Sequence, residues 1–216
     1  MSIHTCEEQV EKILKLPLQL RLYNAIQEKR PFAIRCCDCS KEEGLAGSFA
    51  RAYFTAPHLE DVESEEQPQV VLCVNRLHAV EEIEEVMTHE MVHAFDHCVA
   101  QKDLTECEPL ACSEIRAARE AECRDNFHGG VGEVCRYVGM NPFDDSVPKE
   151  DENSINNICR WFKKRCARVN AARSVNAVFP GKGWNCVESV FEECYKDSHP
   201  FTTRNESGDK SKNVSK

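Results

Sequence analysis

Long apolar runs are missing from this sequence. Nothing in it approaches the run of about eighteen apolar residues that a bilayer-spanning helix requires, so no membrane span is expected. Positive charge is also in deficit: 27 Lys and Arg stand against 37 Asp and Glu, a formal net charge of −10. A general nucleic-acid binder would show a basic face, so no nucleic-acid partner is expected. The stretch from Met1 to Glu8 lacks the apolar centre of a secretory signal, and Glu7, Glu8 and Glu11 do not suit an Arg-rich, acid-poor transit peptide. No second CxxC accompanies Cys36 and Cys39, which excludes a four-thiolate zinc ribbon. Internal repeats are absent as well.

What the sequence has in excess is cysteine. There are fourteen in 216 residues, dispersed along the whole chain, a distribution that suits disulfides between distant segments better than a compact metal finger. Persistent disulfides need an oxidising compartment. With no secretory signal in view, the mitochondrial intermembrane space is the natural candidate. The alternative is a reduced chain with many buried thiols. The length is that of one substantial core, and we expect a single domain over residues 1–201 with an N-terminal amphipathic helix over 1–30 and an insertion over 125–153. The Lys- and Ser-rich residues 202–216 read as a disordered polar tail.

The chain is organised around His89-Glu90-Met91-Val92-His93. The run from Val80 to Cys98 has the helical period, with Val80, Ile83, Val86 and Phe95 recurring on one side. Two histidines four apart project from one helix face and can share one metal ion, and Glu90 between them can orient and deprotonate a water. A hydrolytic zinc site needs three protein donors. Twenty residues separate His93 from Glu114, close to the spacing at which a Glu on the next helix completes a His₂Glu site. The competing pattern HExxHxxGxxH fails, because Asp96 stands at its glycine and Val99 at its last histidine. The expected donors are therefore His89, His93 and Glu114, the cofactor one catalytic Zn²⁺, and the catalytic base Glu90. Asp96 or His97 would accept the second ring N–H of a ligand histidine. Arg116, Arg119, His128 and Tyr137 are the candidates for stabilising the oxyanion.

Elsewhere the periodicity predicts a helix from about Glu7 to Glu28, interrupted at Pro17, whose apolar stripe packs internally or leans on a membrane surface. A strand is expected within Gly44–Thr55 and a buried strand over Val70–Val74, with an acidic loop from His58 to Pro68 between them. Further helices are expected over Leu110–Arg124, over Asn153–Ala172 with Ile155, Ile158, Trp161, Phe162 and Cys166 on its apolar side, and over Trp184–Tyr195. Strand, short connection and HExxH helix follow the order of the upper half of a zincin. We therefore expect an α+β, zincin-like, disulfide-rich fold with a small sheet beside the active-site helix, and an edge strand that holds extended peptide.

The run His89-Glu90-Met91-Val92-His93-Ala94-Phe95-Asp96-His97-Cys98, followed by Leu110-Ala111-Cys112-Ser113-Glu114-Ile115-Arg116-Ala117-Ala118, resembles the mitochondrial inner-membrane-associated metalloproteases that process an ATP synthase subunit, also described as Ku-binding proteins. Cys36 to Cys39, Val70 to Cys73 with Asn75, Val190 to Asp197 and Pro200-Phe201 extend the resemblance over most of Cys36–Phe201. It implies a zinc metalloendopeptidase of the intermembrane space, peripheral to the inner membrane, that cleaves the precursor of a membrane-embedded ATP synthase subunit. It also implies help in assembling the proton-channel sector, with prohibitin-like or other inner-membrane assembly factors as partners. A non-catalytic assembly chaperone and a Ku-binding DNA-repair protein are the other readings of the family. Residues from about Arg124 to Asn153 depart from its pattern.

Overall fold

The computed structural model describes residues 1–41, 50–59, 66–124 and 155–201. The expected insertion and the polar tail, like much of the acidic loop, lie outside the described residues. So do His128 and Tyr137.

The N-terminal amphipathic stretch forms two helices rather than one interrupted helix: α1, Ile3–Ile13, and α2, Pro17–Gln27. The Ser2 side chain caps α1 by accepting from the Thr5 N–H at 3.0 Å. Pro17 cannot sit inside a helix, since it lacks the N–H and its ring crowds the preceding turn. It therefore opens α2 at a position whose N–H would be unpaired anyway. Val10, Ile13, Leu18, Leu22 and Ile26 are buried, so the stripe is packed.

Three strands form one sheet in the order β1-β3-β2. Strand β1 (Ala33–Cys37), which sequence reasoning missed, runs parallel to the central β3 (Gln69–Cys73). Strand β2 (Ala52–Thr55) is antiparallel to β3 and forms the other edge among the described residues. Two disulfides, Cys6–Cys36 and Cys39–Cys73, tie α1 to β1 and the turn after β1 to β3. The CxxC pair is thus split between two bridges.

The HExxH helix α3, Glu81–Cys98, lies beside α2, β2 and β3, with Ile83, Met87, Met91 and Phe95 buried in a core shared with α1, α2 and the sheet. A second core joins α4 (Cys107–Glu120), α5 (Ile155–Val178) and α6 (Gly183–Lys196). Cys107–Cys186 and Cys112–Cys194 staple α4 to α6, and Cys123–Cys166 joins the turn after α4 to α5. Cys159 is disulfide-bonded as well. The disulfide-rich reading of the cysteines is therefore correct. Cys98 is instead a buried thiol, and burial pushes its pKa up to about 11.

Helix α5 extends six residues beyond its expected end, and its buried face differs from the expected one. The side chains of Ile155 and Ile158 lie outside the described residues; among the described ones Cys159, Ala167, Ala171, Ala172 and Val175 are buried, whereas Trp161 is 55% exposed with the Arg165 guanidinium 5.6 Å from its ring centre. Small side chains win the interior because α4 and α6 pack closely on both flanks. At Gly183 this closeness is quantitative: a Cβ there would lie 2.3 Å from the Ala172 carbonyl oxygen and 2.7 Å from the Asn176 Cβ. Gly183→Ala is expected to lower stability by about 3 kcal/mol, read as a downward shift of the thermal melting midpoint, because backbone cannot yield.

Candidate active site

Helix α3 turns His89 and His93 to one side, and α4 crosses it so that Glu114 faces both. The Glu114 carboxylate stands 3.3 Å from His89 Nε2 and 3.6 Å from His93 Nε2. One donor atom from each residue falls within 4.8 Å of the others. Glu114 is buried, and so are Arg116, Arg119 and Glu120 on the same helix. The alternation of charged and apolar residues that makes α4 read as half solvated in sequence is thus misleading. The charges of Arg116 and Arg119 are satisfied inside the protein instead.

The far nitrogens of both histidines are engaged. His93 Nδ1 lies 2.8 Å from Ser113 Oγ, and His89 Nδ1 lies 2.9 Å from Glu122 Oε1. These partners replace the expected ones. Asp96 faces α4, paired with the buried Arg116 and 3.3 Å from Lys102 Nζ. His97, one turn past His93, holds the Pro57 carbonyl oxygen at 3.1 Å through Nε2 and so ties the end of β2 to α3. Sequence gives little access to either true partner. Ser113 is a plain neighbour of Glu114, and Glu122 lies beyond the end of α4 in a turn.

Electrostatics fit this donor set to a cation. Burial alone would raise the Glu114 carboxyl, yet the facing His93 and His89 rings and a hydrogen bond with Ser174 leave its pKa below the usual carboxylate value. Burial alone would lower that of His89, but Glu122 and Glu114 hold it well above the ordinary imidazole value. The site thus concentrates negative potential on one point. Glu114 Oε2 is buried without a hydrogen-bond partner, aimed at the histidines. A dication with two imidazoles and a carboxylate suits that point, and borderline-soft zinc suits those ligand types.

Glu90 lies in the same cleft, a volume of about 940 Å³. Burial raises its pKa, partly offset by His89 and His93 and by the Phe54 N–H that donates to its carboxylate. The cleft runs between α3 and the β2 edge of the sheet: Tyr53, Phe54 and Thr55 of β2 and the segment to Leu59 line one wall, while Leu110 of α4 and Ser174, Ala177 and Val178 of α5 line the other. Neither Arg116 nor Arg119 reaches it. Arg116 pairs with Asp96 and the His199 carbonyl, and Arg119 with Glu120 and the Tyr195 carbonyl, so these two oxyanion candidates serve packing instead.

An HExxH helix, a facing carboxylate on the next helix and a sheet edge along the cleft define a zincin-like arrangement with a candidate metal site. The sequence pattern of the peptidase M76 family matches residues 4–130, more than half of the chain, and the chain belongs to that family. The match includes α1 and α2, which the motifs alone left outside the resemblance.

Among curated relatives, the mitochondrial inner membrane protease ATP23 homolog of Homo sapiens is 30% identical over 194 residues, 85% of this chain and 68% of that protein. The homolog of Danio rerio is 36% identical over 137 residues, 62% of this chain and 45% of that protein. The mitochondrial inner membrane protease ATP23 of Mycosarcoma maydis is 29% identical over 157 residues, 73% of this chain and 61% of that protein. The chain therefore spans about half to two thirds of the length of these relatives. No solved structure matches it.

Proposed function

We propose that the chain is a zinc metalloendopeptidase in which His89, His93 and Glu114 hold the metal and Glu90 is the catalytic base. The convergence of the three donor atoms within 4.8 Å in the cleft that also contains Glu90 carries this reading. When bound, zinc supplies Lewis-acid chemistry, polarising the scissile carbonyl and making water nucleophilic near neutral pH. The residues supply the rest. The edge of β2 that lines the cleft aligns an extended peptide beside Glu90. Glu90 takes a proton from the attacking water at its carboxylate and returns it to the leaving amine. Its raised pKa suits a group that must hold that proton between the two steps.

The names of the relatives and the disulfides support a reading of where the chain acts. Its relatives are named as mitochondrial inner membrane proteases, and its disulfides require an oxidising compartment, which supports the intermembrane space. Among the described residues no helix is long and apolar enough to cross a membrane, in keeping with peripheral association. The substrate we propose is the precursor of a membrane-embedded ATP synthase subunit, with assistance to assembly of the proton-channel sector as an accompanying role.

Elemental analysis of the purified protein tests the metal assignment. It should find about one zinc per chain, lost in the His89→Ala His93→Ala double variant, with few free thiols before reduction. Zinc retained by that variant would move the metal elsewhere and overturn the reading.

A further inference from the structure

Glu122 is a charged group against His89 to which neither the donor set nor the proton transfer gives a task. It lies in the turn that follows α4, where no helix fixes it, yet its Oε1 reaches within 2.9 Å of His89 Nδ1. Nε2 of the same ring faces Glu114 at 3.3 Å. A carboxylate therefore stands beside each nitrogen of the ring. The negative charge of Glu122 beside Nδ1 favours the hydrogen on that nitrogen, which leaves the Nε2 lone pair toward the donor cluster. His93 differs, because its Nδ1 partner is the neutral hydroxyl of Ser113.

Three ties from α5 hold the turn that carries Glu122. Cys123 is bridged to Cys166, Asn170 Nδ2 donates to the Cys123 Sγ at 3.6 Å, and Lys163 Nζ donates to the Arg124 carbonyl at 2.8 Å. Glu122 thus sits immediately before a covalent anchor to a helix whose own Ser174 bonds Glu114. Of the three, the bridge alone cannot be exchanged for water.

We propose that Glu122 is the positioning residue for His89, and that the Cys123–Cys166 bridge holds Glu122 against it. The inference rests on the reading of His89, His93 and Glu114 as metal ligands. Its physical basis is that a carboxylate behind a ligand histidine fixes the ring's tautomer and orientation and raises its basicity. Loss of such a partner typically weakens metal binding by about 10- to 100-fold.

The test is the zinc affinity of the full oxidised chain, measured by chelator competition at fixed pH. The variants are E122A, E122Q, the pair C123S C166S, and that pair combined with E122A. We expect binding about 10- to 100-fold weaker in E122A. In E122Q the loss should be smaller, because the amide oxygen still accepts from Nδ1 without the charge. The cysteine pair should weaken binding although Glu122 is intact, and adding E122A to it should change little more, since both act through one contact. Wild-type affinity in both Glu122 variants overturns the positioning role. Fully additive losses overturn its dependence on the bridge. If E122A fails to fold, judged by circular dichroism, the near-isosteric E122Q decides alone. A wild-type chain that binds no zinc would instead overturn the ligand assignment beneath the proposal, a result that the variants cannot mimic.

Discussion

Glu90→Gln is expected to lower kcat for peptide hydrolysis by about a thousandfold while bound zinc stays at the wild-type level. The substitution keeps the shape of the side chain and an oxygen to accept the Phe54 N–H, so the geometry between β2 and α3 survives. What disappears is a group able to take a proton and give it back. His89, His93 and Glu114 face one another, so they do not take over that task. Single-turnover cleavage of a fluorogenic peptide, with metal content measured on the same samples, checks this. Cleavage at near wild-type rate would remove Glu90 from the reaction. Retention of an assembly role in the same variant would show that chaperoning and proteolysis are separable in this chain.

The second large effect is structural. Arg116→Met is expected to destabilise the protein by about 3–5 kcal/mol, because one partner of a buried ion pair is left without the other. Arg116 is 1% exposed and Asp96 is fully buried. The guanidinium bonds Asp96 and the His199 carbonyl, lies 3.5 Å from Asp197, and sits 5.0 Å from the centre of the Phe201 ring. Its removal strands Asp96 with Lys102 as its remaining cation and leaves Arg119, 5.2 Å from the Phe201 ring centre, as the guanidinium of α4 that still holds the segment from Asp197 to Phe201. For a chain of this size the melting midpoint should fall by about 10 °C. Arg116→Met combined with Asp96→Leu should recover part of the loss, since no charge then remains buried alone. A single variant that melts like the wild type would show that the pair contributes nothing net.

Local chemistry made much of the site legible in the sequence. His89 and His93 are fixed by the helical period, and Glu114 by its distance on the following helix. The helices α3 and α6 likewise follow from periodicity to within a residue or two. Contacts between segments with no shared period were not accessible. Strand β1 is short, contains Arg35 and two cysteines, and finds its place by pairing with β3 some thirty residues later. Trp161 looks like core in a helical projection, but α5 buries its alanines because close neighbours leave no room for an indole. Asp96 and His97 stand on the right helix for a supporting role, yet a buried arginine and the Pro57 carbonyl claim them.

The division of the donors between two cores has a temporal meaning. His89 and His93 belong to the helix that folds with the sheet, whereas Glu114, with Ser174 behind it, belongs to the disulfide-stapled helices that follow. A nascent chain that has matured on only one side presents an incomplete donor set. Closure of the donor cluster thus depends on the docking of the two cores against each other.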